Sequence, residues 1–355
     1  MAHRKESVVL LIHCKDRRGI VARVSGFIHD FGGNILDSDH HTDEETNEFL
    51  MRMEFAAEGL QIPPDEIAAA FAPVAKTFEM RYEVRSSSRW TRVAMLVSKQ
   101  DHCLADLLQR HKRDELQIDI PVIISNHDTC ARWAGLFKIP FSVYPVAKET
   151  KPQQEQQVLS LLKKLHIELV VMARYMQILS GDFLSQVGCP VINIHHSFLP
   201  AFIGANPHRQ AYDRGVKIIG ATAHYATEDL DEGPIIEQDV MRVGHRDTVD
   251  DLVRKGRDLE EIVLARAVRR HVERRVLGMA EKPWCSINRM LKNLASFVLA
   301  SFRSSTYPKG TPRTFTRCGL ADELFEHPVG SRPVVLDVQT IEIPAYPQSL
   351  SAACI

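Results

Sequence analysis

The sequence predicts two joined α/β units and a tail. Three observations carry this. The first 85 residues offer strand-like and helical runs in the order βαββαβ. From Arg92 onward, short apolar runs alternate with helical patterns. After Gly278 the periodicity stops and Pro, Ser and Thr accumulate. The first pattern gives a ferredoxin-like sandwich, an antiparallel sheet with two helices on one face. The second gives a doubly wound, mostly parallel sheet covered on both faces. The expected units are 7–85, 90–280 and, as a largely unstructured extension, 284–355.

In the first unit, Val8 to His13 reads as a buried strand. The loop Asp16-Arg17-Arg18-Gly19 leads into a helix with apolar residues at Ile20, Val21, Val24, Phe27, Ile28 and Phe31, ending at Gly32-Gly33. Ile35 to Thr42 is the second strand. In the third, Phe49, Met51, Met53 and Phe55 share a face. Pro63 to Thr77 suits a helix interrupted at Pro73, and Glu79 to Val84 is the last strand. Arg85 to Arg89 reads as a linker.

In the second unit, RVAMLVS, PVIIS, FSVY, IELVVMA and PVINI are the short strands. Two more are expected at Lys217–Ala226 and Pro234–Val243, before a long helix over roughly Thr248–Val276. The acids Glu260, Glu261 and Glu273 interleave with that helix's arginines, which makes it a solvated face and not a nucleic-acid surface.

Composition narrows the function. A net charge of −1 gives no general attraction to nucleic acid or to an anionic membrane. The seven cysteines include no CxxC pair, which predicts reduced thiols, no structural zinc and a cytoplasmic protein. The apolar run near the N-terminus is too short for a secretory leader, and no stretch approaches a membrane span.

One strand end carries chemistry. In VINIHH, Asn193 and His195 lie two residues apart, so their side chains project together, while His196 is expected on the opposite face. At the carboxyl end of a parallel strand they face the crevice where α/β sheets take ligands. An amide there can bond a developing oxyanion, and an imidazole can move a proton near neutral pH. Such a histidine needs a carboxylate to orient it. The loop after GATAHY offers several acids, and spacing does not choose between Asp229 and Asp231.

NIHHSFLPAFIGANP followed by GVKIIGATAHYATEDLDEGPIIEQDV resembles the formyltransferase-type catalytic domain that uses 10-formyltetrahydrofolate. The resemblance implies that Asn193, His195 and Asp231 form the catalytic set. It implies that Met176, Gln177 and Leu179, from ARYMQILS, and Thr227 and Glu228 contact the folate. The region preceding it, with DRRGIVARVSGFIHDFGGNI, is similar to an ACT domain, a module that commonly binds small amino acids. That implies an effector site at Asp16 and Gly19. The joined arrangement resembles the branch of the family that hydrolyses 10-formyltetrahydrofolate to tetrahydrofolate and formate, balancing one-carbon units and supplying formate for purine synthesis. It implies a hydrolase of a C–N (formamide) bond, with no metal and no cofactor beyond the folate substrate, assembled as a homo-oligomer (dimer or tetramer).

Two alternatives stand beside it: formyl transfer to an unphosphorylated amine, and a catalytically silent folate or amino-acid sensor. A phosphorylated acceptor is disfavoured because MLVSKQDHCLADLLQ, after the first strand, lacks the glycines that let backbone N–H groups approach a phosphate. The sequence departs from the family pattern at Asn206-Pro207-His208-Arg209.

Overall fold

The structure is a computed structural model that describes residues 6–147, 149–201 and 207–276. The expected extension from 284, and Asn206 with it, lie outside the described residues.

The N-terminal unit runs β1 (Ser7–Lys15), α1 (Ile20–Asp30), β2 (Ile35–Asp43), β3 (Glu48–Ala56), α2 (Ile67–Thr77) and β4 (Arg81–Ser86). Its sheet is antiparallel, in the order β2-β3-β1-β4. One face is apolar because alternate residues point the same way. Val8, Leu10 and Ile12 of β1 join Met51, Met53 and Phe55 of β3 there, under Ile20, Phe27 and Ile28 of α1 and Ile67 and Phe71 of α2. Two expected boundaries move. The chain turns at Pro63, whose carbonyl accepts from Glu66 N at 3.0 Å, so α2 begins at Ile67. β4 runs two residues into the expected linker, because Arg85 and Ser86 pair with Val9 and Val8.

The second unit runs β5 (Thr91–Val97), α3 (His102–Lys112), β6 (Ile118–Ser125), α4 (Ala131–Phe137), β7 (Phe141–Val143), α5 (Lys151–Lys164), β8 (Leu169–Met172), α6 (Gly181–Gln186), β9 (Val191–His195), α7 (Pro207–Asp213), β10 (Ile218–Tyr225), β11 (Ile235–Arg242) and α8 (Val249–Val272). The seven strands lie in the order β11-β10-β9-β8-β5-β6-β7. The four pairings from β9 to β7 are parallel, and β10 and β11 are antiparallel. Alternation divides the core. Val93, Met95, Val171 and Ile192 pack toward α3 and α8, and Ala94, Leu96, Val170 and Val191 toward α5 and α6. Among the described residues no helix is long and apolar enough to cross a membrane.

The polar face of the N-terminal sheet meets the end of α8. Arg52, nearly fully buried, donates to the Glu273 carbonyl at 3.2 Å and to Asp37 and Glu54 at 2.9 and 2.7 Å. A cavity of about 550 Å³ opens at this junction, lined by mutually paired arginines and acids, and it contains none of the expected catalytic residues.

Candidate active site

A second cavity, about 360 Å³, lies at the carboxyl ends of β8 and β9. The structure brings Asn193, His195, Asp231, Met176, Gln177, Leu179, Thr227 and Glu228 together around it.

Asn193 and His195 close β9 on one face. In the antiparallel register of β9 and β10, Asn193 stands opposite His224 and His195 opposite Thr222. His224 is tied twice. Its Nδ1 donates to the Tyr225 carbonyl at 2.9 Å, so its Nε2 is free to accept from the Asn193 amide at 3.2 Å. One amide proton is thereby committed to the frame, and the other is left for a ligand. GATAHY holds this histidine, but sequence reasoning gave it no role. The signal was its period-2 spacing from Thr222, readable only once the β9–β10 register is known.

Asp231 is the acid that faces these rings. Its Oδ2 lies 3.2 Å from Nδ1 of His195 and its Oδ1 3.6 Å from Nε2 of His224. Burial opposes ionisation of Asp231, but the hydrogen bond from the His195 imidazole holds the carboxyl well below the usual carboxylate range. Asp231 takes φ +57°, a conformation that non-glycine residues rarely adopt and that clusters at functional sites. Its loop approaches β10 through Gly233, where an added Cβ would stand 1.7 Å from the Tyr225 carbonyl oxygen.

With Nδ1 of His195 turned to the carboxylate, its Nε2 is buried and without a hydrogen-bond partner. Buried polar atoms are nearly always partnered, so an orphan on a cavity wall leaves a hydrogen-bonding position open to a ligand. His196 departs from expectation. Strand pairing ends at His195, so alternation stops there. The His196 ring stacks on His195, with centroids 5.1 Å apart, and borders the same cavity. Burial, then the charge of Arg174, push His196 down to about 4, so it is a neutral neighbour. At the departure from the family pattern, His208 lies 6.2 Å from the His196 ring and fills the space over Gly256 of α8, while Arg209 pairs with Asp213 on the surface.

The wall opposite is apolar. Met176, Ile178 and Leu230 are more than half exposed at its rim. The segment Ala173–Ser180 is pinned by Ala173 N to the Leu96 carbonyl (2.9 Å), Met176 N to Ser98 Oγ (3.0 Å) and Ser180 N to Glu155 (3.1 Å). Glu228 packs against Gly181, joining the two expected folate-contacting segments. An apolar slot ending in a few convergent polar groups is the usual form of a small-molecule site.

At the N-terminal unit, Gly19 takes φ +92° at the start of α1, and no side-chain cap closes that helix. Asp16 N bonds the Asn47 carbonyl at 3.0 Å.

Comparison with known proteins agrees with this layout. The formyl transferase family model matches residues 91–268 and the ACT domain model residues 8–73. The chain is 52% identical over 271 residues to the formyltetrahydrofolate deformylase of Synechocystis, covering 76% of this chain and 95% of that protein. It is 47% identical over 269 residues to that of Bacillus subtilis, covering 76% and 90%. The crystal structure of a formyltetrahydrofolate deformylase from Pseudomonas syringae superposes with a TM-score of 0.76 at 44% identity, covering 79% of this chain and 94% of that one.

Proposed function

The chain belongs to the formyltetrahydrofolate deformylase family, a hydrolase acting on the C–N bond of 10-formyltetrahydrofolate, and on that premise we propose that Asn193, His195 and Asp231 carry the reaction. The observation that carries this reading is the His195 ring, with one nitrogen at the Asp231 carboxylate and the other buried and unpartnered, on the cavity that Asn193 also lines.

The pterin lies in the apolar slot between Met176–Leu179 and Thr227–Glu228, with the N10-formyl group at the end of β9. His195, oriented by Asp231, takes a proton from water as the oxygen bonds to the formyl carbon. The free Asn193 proton and the imidazolium stabilise the oxyanion. The C–N10 bond then breaks, N10 takes the proton from His195, and formate leaves. No metal or cofactor enters these steps.

The reading extends further. Free N–H groups at the start of α1 and the open backbone at Gly19 suit the carboxylate of an amino-acid effector, with Asp16 receiving its ammonium. The protein works in the cytoplasm as a homo-oligomer, and its formate serves purine synthesis.

The test is direct. Purified protein given 10-formyltetrahydrofolate and no acceptor should release formate and tetrahydrofolate in equal amounts. Turnover that starts only when an amine is added would refute hydrolysis.

A further inference from the structure

We infer that Arg174, held by Gln100 and Glu260, walls off the acceptor side of the reaction centre and thereby makes water, not an amine, the formyl acceptor. This rests on the deformylase reading above and deepens it.

The topology identifies the place. From β5 the chain passes to β6 and β7 on one side, then returns to β8 and β9 on the other. The crevice at the carboxyl ends of β5 and β8 is therefore the switch point, where a doubly wound sheet offers room for a ligand. Here that room is filled. Arg174 follows β8, and its Nε donates to Gln100 Oε1 at 2.7 Å and lies 3.3 Å from Glu260 Oε2. Glu260 projects from α8 and also meets Nε2 of His102 at 2.8 Å. Ser98 ties the same gap, donating to Asn126 and accepting from Met176 N. Arg174 lines the cavity described above, and no residue of the loop after β5 does.

The network is unusual for a merely structural element. Arg174 is 8% exposed and Glu260 2%. A buried ion pair is a weak source of stability, because desolvation offsets most of its attraction. Arg174 also takes φ +64°, which suits glycine and not arginine. His102, Cys103 and Glu260 lie within 4.8 Å of one another in the way of metal ligands, but Glu260 is already committed to Arg174, and burial keeps the Cys103 thiol protonated. What remains is a buried polar plug on the cavity that Asn193 and His195 line.

The chemistry of the two outcomes differs only in the nucleophile. Its oxygen or nitrogen bonds to the formyl carbon, the carbon–N10 bond breaks, and N10 takes the proton the nucleophile gives up. Water yields formate and one released proton, and an amine yields the N-formyl amine. A centre whose acceptor side is closed by Arg174 selects the first.

The experiment uses the full chain with 10-formyltetrahydrofolate and rising glycinamide or hydroxylamine. Formate and formyl-amine are both quantified after subtraction of the uncatalysed reaction. The intact protein should give formate alone at every amine concentration. Arg174→Gly with Glu260→Gln removes the plug without leaving a carboxylate unpaired, and glycine accepts the φ angle. This variant should form formyl-amine at least tenfold above the detection limit set by the intact protein, in proportion to amine. Gln100→Ala, which frees one edge of Arg174 without removing a charge, should form less. Arg174→Lys, which keeps a long cation in place, should stay near the intact ratio. A merely structural role would lower total turnover and leave the ratio unmoved. If the variants that fold and bind folate form no more formyl-amine than the intact protein, the gating role is overturned. Failure of the intact protein to release formate without amine would instead refute the deformylase reading.

Discussion

Asp231 Oδ2 lies 3.2 Å from Nδ1 of His195, and the opposite nitrogen of that ring is buried without a partner. A carboxylate held ionised behind an imidazole fixes its tautomer and stabilises its charged form when it takes a proton. In the proposed mechanism this pair moves the proton at Nε2.

His195→Ala should lower kcat by about 10²–10⁴, the usual share of a general acid–base group. Asp231→Asn should do the same, because the amide no longer supports an imidazolium. Folate affinity, measured by fluorescence titration, should change little, since the proposed folate contacts lie on the apolar wall. Near-normal formate release from either variant would contradict the assignment.

Asn193 and His224 should act as one unit. Asn193→Ala removes an oxyanion donor, expected to cost about 10²–10³ in kcat. His224→Phe leaves the donor present but unoriented and should also impair kcat, by about tenfold or more. In the double variant the second change should add almost nothing. Additive losses in that cycle would show that His224 acts elsewhere.

Gly233→Ala should disable the protein without touching a reacting group. The added methyl would meet the Tyr225 carbonyl at 1.7 Å, so the Asp231 loop must shift. A misplacement of about 1 Å at a reaction centre can cost about 10²-fold. The drop should fall on kcat, with the melting temperature changed by only a few degrees. Unimpaired kcat would mean that the Asp231 position is not critical.

How much was legible in the sequence follows from the range of each interaction. Asn193 and His195 were legible as a pair because the period of a strand is local. The choice between Asp229 and Asp231 was not, since it depends on how close the loop comes to β10 at Gly233. His224 and Arg174 were overlooked for the same reason. One acts through the β9–β10 register and the other through Glu260 on the last helix, and both contacts are long-range. The late start of α2 reflects a local competition, in which the turn at Pro63 takes residues that the helical pattern claimed.

Acid should weaken the fold through His271. Burial, then the nearby Arg274, push its imidazole down to about 3, from an ordinary value of 6.5. Between these values the unfolded chain carries a proton that the folded chain does not, so stability rises with pH across that window. The full contribution is present above about pH 6.5 and is lost as pH falls, by about 1.4 kcal/mol per unit. His196 acts in the same direction, down to about 4. Urea melts at pH 7, 6 and 5 should show this slope, and His271→Gln should flatten it by about one proton. An unchanged slope would place the acid sensitivity elsewhere.

The attack of water on the formyl carbon is the central claim, and isotope transfer tests it most directly. In a single turnover in H₂¹⁸O with no amine present, the released formate should carry one ¹⁸O, and the His195→Ala protein should form almost none in the same time. Formate from the intact protein without the label, or labelled formate at full rate without His195, would contradict the account.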